Sequence, residues 1–145
     1  MNKMNKYTAE EVKFAESWME DREAMVNADL ERMIKMHLAA AGVAEDITNQ
    51  VEVMFDNIDT VSVSLKEDKY IDGAVNINLS DTIYNQPVVV SVCLWNEEWL
   101  DGELLNKYLI VNNALTQDYR FHKALENYMV GLAEETEKYR KIANF

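Results

Sequence analysis

The sequence predicts one acidic α+β domain over residues 1–145: N-terminal helices, a three-stranded antiparallel sheet, then C-terminal helices packed on that sheet. Three observations carry this. Apolar residues recur at helical spacing through the first third of the chain, alternate with polar ones from Val61 to Leu79, and return to helical spacing after Trp95.

Thr8 is placed to cap a first helix whose Val12, Phe14, Ala15, Trp18, Met19, Met25 and Val26 gather on one side, opposite Lys13, Glu16, Glu20 and Glu23. A second helical pattern follows Asn27, with Leu30, Met33, Ile34, His37, Leu38 and Ala41 in one stripe and Gly42 placed to end it. A third starts near Glu45 and sets Ile47, Val51, Met54, Phe55 and Ile58 at helical intervals. The period then becomes two. Val61, Val63 and Leu65 interleave with Ser62, Ser64 and Lys66, and Val75, Ile77 and Leu79 interleave with Asn76, Asn78 and Ser80. Residues 67–73 between them are few enough for a hairpin, with turn chemistry at Asp72-Gly73. The third strand, residues 87–95, is apolar on nearly both faces and is expected to lie deepest in the sheet.

Beyond it, Asn96 can cap a helix that aligns Leu100, Leu104, Tyr108, Val111 and Leu115, although the β-branched cluster at 108–111 also allows a strand there. The last helix reads from a Thr116 cap through Phe121, Leu125, Tyr128, Met129, Leu132 and Tyr139.

With 48% apolar and 28% charged residues, the chain has the composition of a packed domain. The single cysteine, Cys93, cannot form an internal disulfide; within an apolar strand it reads as a small buried residue, which favours a reducing compartment. The N-terminal residues lack the apolar run of a secretory signal, and no stretch is apolar for long enough to cross a bilayer. A cytoplasmic protein is expected.

The sequence offers no cofactor, metal or catalytic motif. Zinc would need Cys and His at close spacing, which two histidines and one cysteine do not supply. Residues 96–103 are acidic, but Trp99 and Leu100 interrupt the alternating oxygens of a calcium loop. The four glycines are scattered singly, so no phosphate-cradling loop is expected. His37, on an apolar helical stripe, reads as a hydrogen-bonded packing or interface residue, and His122 as a boundary residue.

The charge is more informative. The formal net charge is −12, and residues 45–106 hold thirteen acidic against two basic residues, a net of −11. Such a surface repels nucleic acid and suits a basic partner. Trp95 and Trp99 bracket the Glu97, Glu98 pair, an aromatic anchor within a charged rim as binding hot spots have. The expected partner-binding residues are therefore Glu67, Asp68, Asp72, Trp95, Glu97, Glu98, Trp99, Asp101 and Glu103.

The function expected is that of a non-enzymatic acidic binding protein that occupies the cationic surface of a nuclease or other nucleic-acid-binding complex. Its size, acidity and lack of motifs are those of phage-encoded inhibitors of host defence and of immunity proteins against nuclease toxins, a likeness of composition that extends to no alignable motif. The alternatives are an enzyme using carboxylates such as Glu97, Glu98 and Asp101 with a divalent ion, and a structural or assembly subunit.

Overall fold

The computed structural model describes residues 6–55, 60–79, 89–95 and 102–143. It begins with one helix, α1 (Ala9–Ala40), started by a capping box in which Thr8 Oγ1 accepts from the Glu11 N–H and the Glu11 carboxylate accepts from the Thr8 N–H. Gly42, at φ +83°, ends it, and the N–H groups of Ala41, Gly42 and Val43 return to the His37, Ala39 and Leu38 carbonyls. The expected break at Asn27 does not occur. Asn27 stays helical because its side chain does not compete for its own backbone; its Oδ1 instead accepts from the Phe55 N–H at 2.7 Å.

The predicted third helix is also corrected. A single turn, α2 (Glu45–Thr48), gives way to β1 (Val51–Phe55). Val51 and Phe55 are four residues apart, a spacing that brings two side chains to one face of a helix and also to one face of a strand. Val53 decides between them, since it shares a face with Val51 and Phe55 only in a strand. Ile58 lies outside the described residues.

The sheet therefore has four strands. β2 (Thr60–Leu65), β3 (Gly73–Asn78) and β4 (Val89–Leu94) follow, in the spatial order β1-β2-β3-β4, every neighbouring pair antiparallel. The register Val53↔Val63, Val63↔Val75 and Val75↔Val92 sets one apolar row across it. The expectation that the Val-rich strand lies deepest is overturned: β4 ends the strand order, and Val89 is 51% exposed. Its Val90 and Val92 still pack against the core, while Val89, Ser91 and Cys93 take the opposite face. Cys93 is thus half-buried rather than a core residue, with its Sγ accepting from Asn76 Nδ2 at 3.0 Å.

Helix α3 (Gly102–Thr116) includes residues 108–111, so the strand alternative there is excluded; the proposed Asn96 cap lies outside the described residues. Helix α4 (Tyr119–Ala143) is capped by Asp118 and not by Thr116, which is the last residue of α3. Helices α1, α3 and α4 contribute Leu30, Ile34, Tyr108, Leu115, Phe121 and Leu125 to the core, against Val61, Val63, Val75 and Ile77 of the sheet.

Asp118 ties this helical layer together. Its Oδ1 accepts from the Phe121 N–H at 3.1 Å and its Oδ2 from His37 Nδ1 at 2.9 Å. Burial acts to raise its pKa, but the Phe121 N–H, His37 and the Arg120 N–H together outweigh burial and hold the carboxyl below its usual range. A depressed folded pKa contributes stability that is complete above the unfolded value of about 3.9 and is lost as pH falls through the folded value. Asp118→Ala should therefore cost about 1–3 kcal/mol at neutral pH, from the lost cap and the lost histidine bond. Urea unfolding of both proteins should show this gap narrowing below pH ~4. A gap that persists unchanged in acid would rule out the carboxylate as its source.

Candidate functional site

The connection between β2 and β3 folds around one carboxylate. Asp68, only 6% exposed, accepts from the Asp72 N–H at Oδ1 and from the Gly73 N–H at Oδ2, both at 3.0 Å. The Tyr108 hydroxyl, from α3, donates to the same Oδ2 at 2.8 Å and accepts from the Leu65 N–H at 3.2 Å. Burial, and secondarily the Asp68 carboxylate, push the Tyr108 pKa well up against the opposing effect of the Leu65 N–H, so the phenol stays a donor. Gly73 permits the close approach: a Cβ there would meet Tyr108 Cε2 and Leu94 Cδ2 at 3.3 Å.

Around this buried knot lie exposed groups. Glu67 Oε1 pairs with Lys107 Nζ at 2.7 Å, and the Lys107 pKa is raised chiefly by that bond, with further attraction from Asp46 and Glu103. Asp46 is brought in through Gln50, whose Nε2 donates to the Asp46 carbonyl while its Oε1 accepts from the Glu67 N–H. A small cleft of about 270 Å³ is lined by Glu67, Asp68, Tyr70, Asp72 and Glu103 among others.

Next to these carboxylates the turn presents apolar side chains. Tyr70 is 87% exposed and Ile71 52% exposed. Ile71 is also held at φ +52°, a left-handed conformation that costs a β-branched residue about 1–2 kcal/mol. Trp95, 59% exposed, is fastened alongside, its N–H donating to the Asp72 carbonyl at 2.9 Å.

Of the residues expected from sequence, the structure brings Glu67, Asp68, Asp72, Trp95 and Glu103 to one end of the sheet. Asp68 points inward and organises the turn. Glu97, Glu98, Trp99 and Asp101 lie outside the described residues. Sequence reasoning missed Tyr70, Ile71 and Lys107; two large apolar residues inside an otherwise polar turn were the available signal. The local charge is also less one-sided than a segment count suggests, because Lys66, Lys69 and Lys107 accompany the acids.

His122 Nε2 lies 2.8 Å from the Leu115 carbonyl, and His37 is hydrogen-bonded to Asp118 as its apolar stripe suggested. Among the described residues no three His, Cys, Asp or Glu side chains are placed to hold a metal ion, and no helix is long and apolar enough to cross a membrane. Comparison with known protein families, curated proteins and solved structures finds no match.

Proposed function

We propose that the chain is a non-enzymatic binding protein whose acidic turn, residues 66–73, docks with Trp95 on the basic surface of a nucleic-acid-binding protein and excludes its nucleic acid. One observation carries this reading: Tyr70, Ile71 and Trp95 are solvent-exposed, Tyr70 lining one cleft with Glu67, Lys69, Asp72 and Glu103 and Trp95 bonded to the Asp72 carbonyl. Large apolar side chains left in water by a folded protein, ringed by charge, have the composition of an interface centre. Carboxylates around them favour a cationic partner and speed the encounter. Inhibition of a nuclease or a related defence complex follows from the same chemistry, since a groove filled by carboxylates is closed to phosphates.

The test is affinity capture from the native cell extract, followed by competition with nucleic acid for the captured protein. Asp72→Lys with Glu103→Lys should abolish capture with little change in melting temperature, because Glu103 is exposed and Asp72 half-buried at the surface, where charges contribute little to folding. Lys123→Glu with Lys138→Glu, on α4, should leave capture intact. Binding should also weaken as added salt shortens the Debye length below ~10 Å. Equal behaviour of the two charge variants, or a captured protein that does not bind nucleic acid, would reject the proposal.

A further inference from the structure

A second site lies apart from the acidic turn, where the end of α1 meets the α3–α4 connection. A groove of about 810 Å³ opens there, a volume within the range of small-molecule sites. Met36 and Ala40, one turn apart on α1, give it an apolar wall, and Asn113 in the last turn of α3 and Gln117 just after that helix give it amides. Tyr119 and Arg120 are exposed and border it. Arg120 makes no ion pair among the described residues.

His37 gives this groove its chemistry. With Nδ1 bonded to the Asp118 carboxylate, the neutral ring carries its proton on Nδ1 and leaves the lone pair on Nε2. Among the described residues Nε2 has no hydrogen-bond partner. Among the described residues the one buried side-chain polar atom left unpaired is Asn112 Oδ1, so Nε2 of His37 is accessible, and His37 lines the groove. His37, two amide side chains, an apolar wall and Arg120, which has no ion-pair partner among the described residues, therefore border one space together with the Asp118 carboxylate. The part of the chain after residue 106 supplies Arg120 and carries none of the excess acid, with six basic and five acidic residues.

We propose that this groove binds a small molecule that offers a hydrogen-bond donor to His37 Nε2 and an anionic group to Arg120. A nucleoside monophosphate meets both requirements and adds a base edge of donors and acceptors for Asn113 and Gln117. A hydroxylated aromatic acid meets the first two.

The experiment is NMR titration of the full chain, isotope-labelled at histidine, with AMP, GMP, CMP and UMP, their nucleosides, and 4-hydroxybenzoate. Saturable shifts of the His37 ring with a nucleotide, or with 4-hydroxybenzoate, are expected and assign the source. His37→Asn should weaken binding about tenfold, because asparagine Nδ2 can still donate to Asp118 while the outer acceptor is gone. Arg120→Gln should reduce nucleotide affinity to that of the nucleoside and leave the nucleoside unaffected. No saturable shift with any probe at millimolar concentration overturns the proposal, as does binding that neither variant weakens.

Discussion

Asp68→Ala should lower the unfolding free energy by about 3–5 kcal/mol, because three donors then lose one acceptor inside the protein. The Gly73 N–H and the Tyr108 hydroxyl are buried with it, so water cannot replace the carboxylate without opening the turn. In a chain of this size that corresponds to a melting temperature about 10 °C lower or more. Tyr108→Phe should cost less, about 1–3 kcal/mol, since it leaves the Leu65 N–H unpaired but keeps both backbone donors on Asp68. The double variant should lose less than the sum, as the two residues share one bond. Full additivity, or an Asp68→Ala protein that melts like wild type, would show that Asp68 does not hold the turn. There is also an alkaline consequence. A folded pKa raised above the unfolded value of about 10 gives stability that is complete below that value and lost as pH rises through the folded one. Tyr108, and Tyr128 with its hydroxyl on Asp29, should both contribute to such a limb. The Tyr108→Phe protein should therefore lose stability less steeply than wild type above pH ~10.

The sequence patterns specified the α+β class and most elements, and the two kinds of miss have physical causes. Where a local rule was sufficient it was read correctly: Thr8 starts α1, Gly42 ends it, and alternation marks β2 and β3. Where a residue's partner is distant in sequence, the local rule failed. Asn27 reads as a helix breaker until Phe55 occupies its side chain, and Asp118 displaces Thr116 as cap while also binding a histidine 81 residues away. β4 looked like a central strand because its sequence is apolar on both faces, but position in a sheet depends on chain topology, which composition does not encode. In the candidate site the acids were legible as a charge excess. That Asp68 faces inward, that Glu67 is paired with Lys107, and that Tyr70 and Ile71 are the exposed apolar groups all follow from a turn built on Tyr108, forty residues from Asp68.

The apex of that turn supports the most discriminating prediction about function. Tyr70→Ala and Trp95→Ala remove side chains that are mostly in solvent, so each should leave the melting temperature close to wild type. If the apex anchors a partner, the same changes remove hot-spot contacts, and together they should weaken binding of the captured partner by about a hundredfold or more. Ile71 separates a binding role from a structural one more sharply. Its backbone stands at φ +52°, where glycine carries no Cβ penalty, and its side chain is half in water. Ile71→Gly should therefore stabilise the fold, by about 1 kcal/mol at most after the added freedom of the unfolded chain is counted, while weakening partner binding. A residue kept for folding would give the opposite pattern, with stability falling when it is removed. Calorimetry of the variant and a binding isotherm with the captured partner read the two quantities separately. If Ile71→Gly destabilises the protein, or if all three apex variants bind as wild type does, the exposed turn is a structural feature and the partner must engage another face.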